Sequence, residues 1–89
     1  MDKETLINEQ ADNAIILDGF DDAILGIVNE FGNGPRILYS TEKIIQTLRD
    51  RDGMSEEEAI EYYDFNILGM YAGEQNPLFL VNDFENQMN

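Results

Sequence analysis

Carboxylates are the only side chains in this sequence abundant enough to do chemistry together. Two clusters stand out, Asp18-Gly19-Phe20-Asp21-Asp22 and Asp50-Arg51-Asp52-Gly53. Close carboxylates can hold Ca²⁺ or Mg²⁺, or split the acid and base roles of glycoside hydrolysis. Neither cluster has the acids at positions one, three and five, the Gly at six and the Glu at twelve of an EF-hand loop. In the second, arginine would neutralise the site. A chain of 89 residues is too short for the usual sugar cleft, and nothing marks one acid as buried. Gly32-Asn33-Gly34 is rich in glycine, but no helix opening with GK[ST] follows it, as a phosphate loop requires. The chain has neither histidine nor cysteine. Ser40, Thr41 and Ser55 therefore lack their usual activating base, and thiolate chemistry and disulfides are excluded. The clusters read as solvated turn acids and helix caps. No catalytic, cofactor or metal residue is assigned, and a weak divalent-ion or small-ligand site at the Asp21-Asp22 turn is the alternative.

Charge narrows the partners. Nineteen acids against five bases give a net charge of −14. Such a surface repels nucleic-acid phosphates and anionic membranes, and it attracts cationic partners at salt-sensitive rates. Direct nucleic-acid binding is not expected. The polar, acidic start and the lack of an apolar run of about 18 residues argue against a signal peptide and a membrane span, so a cytoplasmic protein is expected.

The elements that would position these acids follow from the pattern. Residues 1–13 read as a flexible polar arm, 14–81 as one domain, and 82–89 as a flexible tail, with Phe84 able to dock. Ala14-Ile15-Ile16-Leu17 fits a strand or a short helix. Ala23 to Phe31 is rich in β-branched residues and runs into Gly32-Asn33-Gly34-Pro35, a strong turn signal. Arg36 to Tyr39 completes a hairpin. Ser40 then offers an N-cap ahead of Ile44, Ile45 and Leu48, Arg49 and Arg51 suit the end of that helix, and Gly53 stops it. Ser55-Glu56-Glu57-Glu58 is a capping box that opens a second helix. Its apolar stripe is expected at Ile60, Tyr63, Ile67 and Met70 or Tyr71, with Gly69 weakening the last turns and Gly73 ending them. Pro77 leads into a short strand, Leu78 to Val81. The expected fold is α+β, in the order β-β-α-α-β. A small antiparallel or mixed three-stranded sheet is covered on one face by a helical hairpin. The place of the third strand, beside the first or the second, is left open.

The second helix carries the surface most suited to binding. Glu57, Glu61 and Asp64 follow an i, i+4, i+7 line, with Glu58 nearby. Tyr62, Tyr63, Phe65 and Tyr71 make the helix aromatic, and one of them on the outside would be an interface anchor at low entropic cost. Asn66 reads as exposed, the alternative being a bond to the loop at Asp21 and Asp22. The expected interaction surface is Glu57, Glu58, Glu61, Asp64 and Tyr62 with Asp21 and Asp22.

Three blocks carry a resemblance. They are Phe20-Asp21-Asp22-Ala23-Ile24-Leu25-Gly26, then Asp52-Gly53-Met54-Ser55 through Glu61-Tyr62-Tyr63, then Phe65-Asn66-Ile67-Leu68-Gly69-Met70-Tyr71-Ala72-Gly73-Glu74 with Pro77 and Phe79. Across residues 20–80 the chain resembles a family of small acidic proteins of unknown function encoded by tailed bacteriophages. The resemblance brings no activity, cofactor or site residue. It implies an interaction protein in an infected bacterial cell, one that binds and modulates a host protein with a basic surface. In one form it would do so by presenting a DNA-like acidic surface. The alternative is a structural or accessory phage module that self-associates, as a homodimer for instance.

Overall fold

A computed structural model of the chain describes residues 3–11, 14–32, 34–70 and 76–81. Asn33, Tyr71, Gly73 and the tail 82–89, all named above, lie outside the described residues.

Strand β1 (Ile24–Glu30) and strand β2 (Gly34–Ser40) pair antiparallel, closing at Glu30 opposite Gly34. The turn between them needs left-handed backbone, which Gly32 and Gly34 supply at φ 86° and 79° without the steric penalty of a Cβ. The register slips between Ile24 and Gly26, leaving Leu25 as a bulged residue on the outer strand. Helix α2 (Thr41–Asp52) starts directly from β2, and Ser40 serves as both last strand residue and N-cap, accepting from the Lys43 N–H at 3.2 Å. Gly53 ends the helix in the left-handed conformation (φ 72°). Its N–H donates to the Arg49 carbonyl, and the Met54 N–H donates to that of Leu48, the reversed bonding that a terminal glycine permits. Helix α3 (Glu56–Tyr62) opens on the Ser55–Glu58 capping box and continues as a π-helical segment, Tyr63–Leu68. Strand β3 (Leu78–Leu80) then returns parallel to β2. The sheet is mixed, in the order β1-β2-β3, so the third strand lies beside the second.

One hydrophobic core joins the sheet to the helices. Ile37 and Tyr39 of β2, Ile44 and Leu48 of α2, and Ala59, Tyr63 and Ile67 of the last helix are buried together. The fold class is thus a small α+β domain as expected, with three departures. The expected arm 1–13 instead carries helix α1 (Lys3–Gln10), and Ile7 and Ala11 lie in the core. Two apolar residues four apart suffice to dock a single helical turn, too weak a stripe to show in a polar sequence. Ala14 to Leu17 is neither strand nor helix. It is held by the Leu17 N–H, which donates to the Tyr39 hydroxyl at 2.8 Å. The buried stripe of the last helix is Ala59, Tyr63 and Ile67, and Ile60 and Met70 are exposed. Positions four apart share one face of a helix, so Ala59 extends the stripe of Tyr63 and Ile67 toward the helix start.

Aromatic contacts lock these layers. Phe79 stacks on Tyr39 (centroids 6.1 Å apart) and meets Tyr63 edge-on at 5.7 Å, geometries that aromatic quadrupoles favour. The Tyr63 and Thr41 hydroxyls share a hydrogen bond of 2.9 Å. Tyr39→Phe should therefore leave the Leu17 N–H without its partner, costing about 1–3 kcal/mol, read as a lower denaturation midpoint at unchanged slope. Burial raises the Tyr39 and Tyr63 phenols above their ordinary range. The unfolded chain then loses these protons first, so stability is intact below about pH 10 and falls as pH rises beyond it. A pH titration of unfolding should show that fall, with a shallower slope in Tyr39→Phe.

Candidate interaction face

The face of α3 that turns away from the core is built by its cap. The Ser55 hydroxyl accepts from the Glu58 N–H at 3.1 Å, and Glu58 Oε1 accepts from the Ser55 N–H at 3.0 Å. That second bond holds the Glu58 carboxyl below the usual carboxylate range, so the group is anionic and fixed in place at neutral pH. Two further turns bring Glu61, Tyr62, Phe65 and Asn66 alongside it. With Met54 they line a shallow open groove of about 380 Å³. Phe65 is 76% exposed and Tyr62 is exposed beside it.

The π-helical segment carries Phe65 midway between the buried Tyr63 and Ile67, and so on its side away from the core. Its last bond runs from the Gly69 N–H to the Asp64 carbonyl, five residues back, at 3.1 Å. A Cβ on Gly69 would lie 3.1 Å from that carbonyl oxygen and 3.2 Å from the Phe65 carbonyl oxygen. The glycine therefore serves close packing of its own helix end. The extra residue per turn rotates everything after Tyr62 relative to α-helical spacing.

Of the acids expected at the surface, Glu58 and Glu61 line the groove. Glu57 and Asp64 are exposed on the same helix but outside it. Asp21 and Asp22 are exposed on a 3₁₀ turn (Asp21–Ala23) that leads into β1. Asp21 and Asp22 do not line the groove. Sequence reasoning missed Met54 as a wall residue and named Phe65 only as one of four aromatics that could lie outside. The i, i+3, i+4, i+7 set Glu58, Glu61, Tyr62, Phe65 was the available signal. Asn66 is exposed and lines the groove.

Cations are drawn into structural roles. Arg51 donates from Nη1 to the Gly19 carbonyl at 2.7 Å, grips Asp52 with two bonds of 3.0 Å, and lies 5.0 Å over the Phe20 ring. Arg36 donates from Nε to the Asn76 carbonyl at 2.8 Å. Arg49 stands 4.0 Å from Glu56. Among the described residues no group of three acids is arranged to hold a metal ion, and no helix is long and apolar enough to cross a membrane. Chemically, the groove can take a group that is cationic at its end and apolar along its stem.

Fold and face together define a small α+β protein with one mixed acidic and aromatic groove. No family model matches the chain, and neither does any curated protein or solved structure.

The capping box makes a pH prediction. Glu58 has a lowered folded pKa, so its contribution is present above its ordinary value of 4.5 and is lost as pH falls through the lower folded value. Glu58→Gln should be less stable than the parent at neutral pH, and the gap should close on acidification below that value, as thermal melts across pH would record.

Proposed function

We propose that the chain is a small acidic interaction protein of phage type that binds and modulates a host protein in the cytoplasm of an infected bacterial cell. Binding runs through the groove of Glu58, Glu61, Tyr62 and Phe65. The observation that carries this reading is Phe65, a large aromatic side chain held out in solvent in a groove that it shares with Glu58 and Glu61. Exposed aromatics of this kind are the usual anchors of protein interfaces, and charged rims steer their partners. The partner is a protein with a basic, partly apolar surface. A long Arg or Lys side chain fits the groove, its stem along the rings and its head at the carboxylates. The aromatic pair favours this over plain imitation of a phosphate backbone, whose surface would be acidic throughout. The net charge of −14 gives long-range attraction that weakens with salt.

The test is an affinity capture from bacterial lysate with the parent and Phe65→Ala as baits, followed by purified binding to the retained protein. A single dominant host protein should be held by the parent, with affinity falling as salt rises. Truncating an anchor costs about 2 kcal/mol or more, so Phe65→Ala should bind at least tenfold more weakly while melting like the parent. Equal binding by the two baits would sink the groove as the site.

A further inference from the structure

Two aspartates in the chain are followed by glycine, Asp18-Gly19 and Asp52-Gly53, and the fold treats them in opposite ways. Such a pair is where a chain can modify itself, because a glycine has no Cβ to keep its nitrogen from the preceding side-chain carboxyl. At Asp52 both reacting groups are engaged. The Gly53 N–H donates to the Arg49 carbonyl at 3.1 Å, and Arg51 grips the Asp52 carboxylate with two bonds of 3.0 Å. That grip holds the Asp52 carboxyl below its usual range, and an ionised carboxylate is a poor electrophile.

Asp18 has none of these restraints. It lies exposed on a turn, Leu17 to Phe20, that is closed by the Phe20 N–H donating to the Leu17 carbonyl at 3.3 Å. Gly19, third in the turn at φ 88°, has the backbone of a type II turn, whose one bond leaves the third N–H unused. Among the described residues, neither the Asp18 carboxylate nor the Gly19 N–H has a hydrogen-bonding partner. The ends of the turn, by contrast, are fixed. Leu17 is bonded to Tyr39, and Phe20 lies under the Arg51 guanidinium.

We infer that Asp18-Gly19 is a self-modification site, at which the chain isomerises to isoaspartate and thereby releases Arg51. The Gly19 nitrogen attacks Cγ of Asp18 in its acid form. A C–N bond forms, the N–H proton and the side-chain hydroxyl leave as water, and a succinimide ring closes. Water then opens the ring at the main-chain carbonyl, which leaves Cγ bonded to Gly19 and the former main-chain carbonyl as a free carboxylate. The water lost is the water regained, so no cofactor or oxidant is needed. The main chain is now one methylene longer between two fixed residues. The Gly19 carbonyl therefore loses the 2.7 Å bond that it accepts from Arg51, and the end of α2 is freed from the turn. Asp18 does not line the groove on α3, so the two sites fail or stand separately.

The test is to keep the intact protein at physiological temperature and mildly acidic pH for several weeks. Isoaspartate is then located by electron-transfer fragmentation of its peptides and counted by an isoaspartyl methyltransferase. In the folded protein it should be at least tenfold more abundant at Asp18 than at Asp52. In urea, where both glycines lose their surroundings, the two positions should react alike. Asp18→Glu, which cannot close the five-membered ring, should show none at that position. The chain mass stays constant, which separates this reaction from deamidation at Asn33-Gly34. The purified isoaspartyl form should melt below the parent, and isomerisation should cost Arg51→Ala less, because that variant has no such bond to lose. Equal isoaspartate at the two positions of the folded protein, or none at Asp18, overturns the site. An isoaspartyl form that melts like the parent overturns the release of Arg51.

Discussion

A phenol with no solvent exposure must bond its hydroxyl within the protein or forfeit the hydration it gave up. Tyr39 is such a residue, and its hydroxyl takes the Leu17 N–H. That single bond ties the irregular stretch after α1 to the central strand, across 22 positions of sequence. Through its ring, Tyr39 also orders Phe79 and, through Phe79, Tyr63. Strands β2 and β3 and the last helix therefore meet around one stacked and one edge-on aromatic contact. Little else in so small a core could hold a three-residue parallel strand, which has few ladder bonds of its own and pairs only from Leu38 to Ser40.

The arginines play a second organising role. Arg51 gathers a turn, a carboxylate and an aromatic ring at the end of α2. Gly19, whose carbonyl it meets, sits at φ 88°, a backbone conformation that favours glycine. With cations engaged in this way, the excess of acids is left to the surface. Acidity and architecture are thus linked: Arg36, Arg49 and Arg51 contact other parts of the fold, and the net negative field is what remains.

The π-helical segment after Tyr62 carries both core and surface. It has Tyr63 and Ile67 in the core and Phe65 and Leu68 outside. Leu68 walls a hollow near Arg36, while Phe65 walls the acidic groove. One helix end thus borders two surfaces.

Much of the local structure was legible from residue types alone. The glycine-rich hairpin turn, the Ser40 cap, the Gly53 stop and the Ser55–Glu58 box each rest on chemistry within five residues, so the chain dictates them without reference to its neighbours. The acidic field likewise follows from composition. The docking of α1 was not legible, because Ile7 and Ala11 become a stripe only when a core is there to receive them. Nor was the parallel placement of β3, since a three-residue apolar run pairs equally well with either neighbour until the helices fix its direction. Of the stripe expected on the last helix, Tyr63 and Ile67 are buried, whereas Ile60 and Met70 are exposed and Ala59 takes the third buried place, because which of two adjacent apolar residues meets the core depends on the elements packed against the helix. Local bonding was settled by the sequence itself. Which faces became surface was settled by tertiary contacts, because burial belongs to the assembled fold and to no residue alone.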